Sequence, residues 1–124
     1  MEIFSTNTAS AFYKSDKNYL HLALSSKVAS TDLRQTYSQA LEYAKSKNIK
    51  HWLMDMSRIS QISEQDQQWI HASFFPEVMK ALGITNYFGM VLPTACYQKI
   101  LKKSGKNGLQ SYNSFIIINT FENP

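Results

Sequence analysis

Residues 50–56 read Lys-His-Trp-Leu-Met-Asp-Met, a nearly unbroken apolar run without period-two alternation. Such a run suits a strand covered on both faces, the usual situation in a parallel sheet. Parallel neighbours need crossover connections, which helices supply. The flanking residues agree. Upstream, Leu33, Tyr37, Ala40, Leu41 and Ala44 fall on one face of a helix. Ser30 is placed as its N-cap, with Asp32 in the first turn. Asn48 is its left-handed stop. Downstream, Ser63 opens a second helix with Asp66 in a Ser-x-x-Asp start, a weaker capping box. That helix carries Trp69, Ile70, Phe74, Phe75, Val78, Met79 and Leu82 and ends at Gly83. Pro76 should bend or divide it, because proline lacks an amide hydrogen and its ring crowds the preceding turn.

The other elements complete an alternating order. Short strands are expected over 2–7 and 11–14, and a strand with period-two alternation over 19–25. Ser15, Asp16, Lys17 and Asn18 form the turn between the last two. A second buried strand spans 87–92. Thr94 starts a short helix with Tyr97, Ile100 and Leu101 inward. A turn from Gly105 to Gly108 leads to a final strand over 114–119. The order β-β-β-α-β-α-β-α-β predicts an α/β fold with a mixed, mostly parallel sheet. It begins with an antiparallel hairpin and continues by right-handed crossovers. No helix follows the last strand, so one flank is expected to expose apolar surface and to seek a second copy or a partner.

With 124 residues, 44% hydrophobic and 18% charged, the chain is expected to be one globular domain spanning 1–124. The lone Cys96 allows no intrachain disulfide. A cytoplasmic protein is expected, with no signal peptide and no membrane span. The net charge of +4 arises entirely after residue 77, where five lysines face one acid. Lys99, Lys102, Lys103 and Lys106 cluster there. Nucleic-acid binding is the weaker reading, because no arginine or aromatic platform accompanies these lysines.

Candidate chemistry is sparse. Cys96 reads as an inert buried thiol. His21, His51 and His71 lie far apart without metal-ligand spacing, so no metal or cofactor is expected. His71, near Trp69 and Asp66, is the one placed to reach a cleft. Asp55 ends a buried strand and therefore needs a partner. Arg58 is the nearest candidate, and the amides of the following loop are another. Asp55 either fixes that loop or meets a ligand. Gly105 to Gly108 lacks the spacing of a phosphate loop. Trp52, Trp69, Phe74, Phe75, Tyr87 and Phe88 occur at core spacings, with an apolar ligand pocket among Trp69, Phe74, Phe75 and Met79 as the alternative.

Leu53-Met54-Asp55-Met56-Ser57, then a loop, then Ser63-Glu64-Gln65-Asp66 resembles the STAS domain, the fold of anti-sigma-factor antagonists, in a divergent bacterial form. There the pattern is Val-Leu-Asp-Leu-Ser, a loop, and Asp-Ser-Ser-Gly at a helix start. The resemblance covers most of the chain. It implies a non-enzymatic regulatory module of bacterial signalling that binds a protein partner. The docking edge would be the loop 57–62 and the first helical turn, with Asp55, Ser57, Arg58, Ser63, Glu64 and Asp66. Glu64 stands where the family carries its phosphorylated serine, and the glycine is absent. Either Glu64 supplies a permanent negative charge, or Ser63 takes the phosphate, or both serve only the helix start.

Overall fold

The computed structural model describes residues 1–61, 63–94, 98, 102, 110–112 and 116–122. The architecture is α/β. Strands β1 (Glu2–Ser5), β2 (Ala9–Lys14) and β3 (Tyr19–Lys27) form an antiparallel meander. Helix α1 (Ser30–Lys47) leads to β4 (His51–Gln61), which lies parallel to β3. A helical stretch leads to β5 (Asn86–Leu92), parallel to β4. Short β6 (Gln110–Tyr112) pairs antiparallel with β7 (Ile116–Glu122), and β7 lies parallel to β5. The described strands form one sheet in the order β1-β2-β3-β4-β5-β7-β6. The mixed sheet with its N-terminal antiparallel hairpin is therefore present, with β6 as an additional strand.

Local signals place most helix ends. Asn48 adopts the left-handed conformation at φ 54°, and its amide donates to the Ala44 carbonyl. Asn18 adopts φ 54° in the β2–β3 turn, where the Tyr13 hydroxyl donates to its Oδ1 at 2.7 Å. Ser63 caps α2 (Glu64–Trp69), its Oγ accepting from the Asp66 amide at 3.0 Å. The N-cap of α1 is Ala29 rather than Ser30. The Ser30 hydroxyl is drawn instead toward Asp66, to which it donates at 2.8 Å. Pro76 divides the second helix as expected. A π turn (Ile70–Phe74) precedes α3 (Phe75–Leu82), and the Phe75 amide donates five residues back to Ile70. Widening the turn relieves the clash between the proline ring and the carbonyl four residues before it.

The core lies on one face of the sheet. Leu20, Leu22 and Leu24 of β3, Trp52, Met54 and Met56 of β4, and Phe88 of β5 point into it. The expected helical face of α1, from Leu33 to Ala44, is buried against them. Phe74 is the hub. Its ring contacts those of Tyr37, Trp52, Trp69, Phe75 and Phe88 at centroid distances of 4.9 to 6.4 Å. The expectation that the strands over 50–56 and 87–92 are covered on both faces is not met. Leu53 and Asp55 are half-buried, and Tyr87 is 40% exposed. The reason is the strand order. The steps β3 to β4 and β4 to β5 run in one direction, so right-handed crossovers place α1 and α2–α3 on the same face.

The expected helix from Thr94 is described only at Thr94, Gln98 and Lys102, which are helical and exposed. Cys96, Lys99, Lys103, Lys106, the turn from Gly105 to Gly108, and Ile62 lie outside the described residues. No helix of the described residues is long and apolar enough to cross a membrane.

Two substitutions separate packing from polarity in this core. Phe74→Ala should lower stability by about 3–5 kcal/mol in urea unfolding, since it removes the ring that joins both helices to the sheet. Tyr37 is fully buried, and its hydroxyl has no hydrogen-bond partner among the described residues. Tyr37→Phe should therefore leave stability unchanged or raise it by about 1 kcal/mol.

Candidate functional site

A concavity of about 650 Å³ opens on the bare face of the sheet, beside the carboxyl ends of β3 and β4. Its far wall is the β1–β2 turn. That turn is held by Thr6, whose Oγ1 accepts from the amides of Thr8 and Ala9 at 3.3 and 3.1 Å. The Thr8 hydroxyl donates to Asp32 at 2.9 Å and fixes the turn to the first turn of α1.

The near wall is built by an irregularity in β4. Ala23 pairs with Asp55, but Ser25 pairs with Arg58, so β4 spends one residue more than β3 over this stretch. A second shift follows, with Ser26 opposite Ile59 and Lys27 opposite Gln61. Bulges interrupt the ladder, bend the strand and re-aim its side chains, and they are rare between parallel strands. Here the extra residue brings both Ser57 and Arg58 to the groove while Met56 remains buried. The Asp55 carboxylate stabilises this turn of backbone. Its Oδ1 accepts from the Ser57 amide at 3.0 Å and from the Ser57 hydroxyl at 2.6 Å. Its Oδ2 lies 3.6 Å from His21 Nε2 on β3.

Burial is the largest influence on the Asp55 carboxyl and pushes its pKa up. The two Ser57 hydrogen bonds and the nearby His21 together outweigh it and hold the pKa below the ordinary value. Asp55 is therefore a fixed anionic acceptor. The arrangement does not activate a nucleophile. The Ser57 hydroxyl donates to a weakly basic carboxylate, and His21 approaches the other carboxylate oxygen rather than Ser57. In a hydrolytic triad the histidine stands between serine and acid. Among the described residues no three His, Cys, Asp or Glu side chains converge as a metal site.

The six residues expected at a docking edge do not form one surface. Asp55, Ser57 and Arg58 line the groove. Ser63 and Glu64 are exposed at the start of α2. Asp66 is 1% exposed and serves inside the fold. It accepts from Ser30 Oγ and lies 3.7 Å from Arg34 Nε, tying the start of α2 to the start of α1. The Ser-x-x-Asp pattern shows the cap but not this second use. The loop expected over 57–62 is strand as far as Gln61. Arg58 does not pair with Asp55. It is exposed, with no hydrogen bond or ion pair among the described residues.

His21 is the groove residue that the sequence does not reveal. It stands 34 positions before Asp55, and only the β3–β4 register brings the two together. The local signal is its place on the same strand face as Ala23 and Ser25, opposite Leu22 and Leu24. His71 does not reach a cleft. It is exposed on the π turn, edge-on to Phe75 at 5.3 Å. Phe74 and Phe75 are buried and in mutual ring contact, Trp69 stacks on Phe74 at 6.1 Å, and Met79 is half-buried against the core. A second, smaller concavity of about 350 Å³ lies at the other end of the bare face, where His51 stacks on Tyr87 at 5.0 Å.

Comparisons with protein-family models, curated proteins and solved structures return no match.

The Asp55 shift has a definite pH signature. A carboxyl held below its unfolded value contributes stability that is complete above about pH 4 and is lost as pH falls through the folded value. Unfolding curves of wild type and Asp55→Asn should therefore separate above about pH 4 and converge as the pH falls through the folded value. A constant separation across that window would remove Asp55 as the source.

Proposed function

We propose that this chain is a non-enzymatic, cytoplasmic recognition module of the regulatory kind found in bacterial signalling. It engages a protein partner along the bulged half of β4 and the start of α2. The doubly shifted register of β4 carries this reading, since it turns Ser57 and Arg58 out of the ladder beside an ionised Asp55. The exposure of Ser63 and Glu64 at the adjoining helix start supports it. So does the resemblance of this segment to anti-sigma-factor antagonists. Of the two sources of negative charge at that helix start, Glu64 is the better fitted. The Ser63 hydroxyl already caps the Asp66 amide, and a phosphate there would sit close to the buried Asp66 carboxylate.

Variants test the docking edge without touching Asp66, whose loss would damage the fold. Arg58→Glu and Glu64→Lys should abolish recovery of a specific partner by cross-linking in the source cell. The exposed, distant Glu42→Lys should preserve it, and all three should melt within a few degrees of wild type. The same cross-linked species in all three would overturn the reading.

The bare face of the sheet favours a second contact, with another copy of the chain. Phe121 is 54% exposed there and Tyr87 40%. Light scattering at high concentration should report a dimer that Phe121→Asp dissociates. A wild-type monomer would exclude it.

A further inference from the structure

The groove on the bulged strand holds two charges of opposite sign, and neither neutralises the other. Asp55 Oδ2 faces His21 Nε2 at 3.6 Å. His21 Nε2 is itself buried without a hydrogen-bond partner among the described residues. Arg58 lies three positions along the same strand and forms no ion pair with Asp55, so the two groups stand more than 4.0 Å apart. A carboxylate and a guanidinium that line one groove without pairing with each other suit a guest that carries both complements. Ser10, Ser25 and Asn7 also line the groove, and their side chains have no partners among the described residues. They offer acceptors for an ammonium beyond the single carboxylate oxygen. Phe12 and Ala23 supply apolar lining.

We infer that the groove binds a free α-amino acid, its ammonium on Asp55 and its carboxylate on Arg58, with its side chain along Phe12 and Ala23. This rests on the reading of the groove as a recognition site and names its occupant. A peptide N-terminus carries only the cation at that position and a C-terminus only the anion, so either leaves one charge unmatched. A neutral polyol leaves both. The cavity lies within the size range of small-molecule sites, about 300–1,000 Å³. Occupancy would place a ligand at the base of the same strand end that leads to Ser63 and Glu64, so a bound amino acid would bear directly on the docking edge.

Proton–nitrogen correlation spectra of the intact chain test this. Each common L-amino acid is titrated to about 10 mM, a limit that reveals dissociation constants in the millimolar range. At least one should give saturable shifts at the Ala23, Ser25, Ser57 and Arg58 amides. Its N-acetyl derivative, which lacks the ammonium, and its amide, which lacks the carboxylate, should each lose those shifts. Arg58→Gln should weaken binding by about tenfold or more with its spectrum otherwise unchanged, and Asp55→Asn, which also releases the Ser57 amide, should weaken it by at least as much. No shift with any amino acid, or equal shifts with the blocked derivatives, overturns the assignment. Arg58-dependent partner cross-linking without any amino-acid response would overturn the ligand alone and leave the docking edge standing. Failure of both would remove the groove as a recognition site.

Discussion

The direction of the strand order governs everything else in this molecule. From β3 through β4 to β5 the sheet grows toward one edge only. The crossovers on this path are right-handed, so α1 and α2–α3 pack on the same face. One face therefore collects the whole aromatic core around Phe74, and the other is left to whatever else binds it. A sheet that grew in both directions from β4 would bury both faces and leave no room for a groove on β3 and β4. Site and core are two consequences of a single topological choice.

Within that frame, Asp55 and the register shift depend on each other. The strand must keep Met54 and Met56 in the core and still return Ile59 toward it, while Ser57 and Arg58 remain outside. Strict alternation would send Arg58 to the core side, because side chains two apart share a face. One extra residue resolves the conflict and removes the Ser57 amide from the regular ladder. An amide left unpaired in a half-buried position is costly, and the Asp55 carboxylate accepts it. The acid is thus a part of the backbone geometry before it is part of any recognition. That is why a purely functional substitution of Asp55 does not exist, and why its pH signature is read in stability.

What the sequence shows and what it hides follow the range of the interactions. The buried face of α1, the Ser63 cap, the left-handed Asn48 and the division at Pro76 are local, within about one or two turns of chain, and each is legible. The bulged half of β4 is not. Ser57, Arg58, Ser60 and Gln61 are polar, so they read as loop, and the shifts erase the period-two signal that marks a strand. The sidedness of β4 and β5 is hidden for another reason. A run such as Trp52-Leu53-Met54 is apolar whether one face is covered or both, and only the strand order decides. Asp66 and His21 share a third cause. Their partners, Ser30, Arg34 and Asp55, are more than 30 positions away and are brought in by packing.

The latch at Asp66 gives the α2 start a mechanical meaning that its cap alone lacks. Ser63 holds the Asp66 amide, and the Asp66 carboxylate holds Ser30 and Arg34. Arg34 also lies over the Trp69 ring at 5.5 Å. The first turns of α1 and α2 are therefore joined through one buried carboxylate, flanked by the turn that Thr8 fixes to Asp32. The β1–β2 turn, α1 and α2 meet at the end of the sheet where the groove opens. A guest pressing on that turn or on β4 pushes against a braced corner rather than a loose loop. The exposed residues Ser63 and Glu64 project from this same corner, which three hydrogen bonds, Thr8 to Asp32, Ser30 to Asp66 and the Asp66 amide to Ser63, hold together.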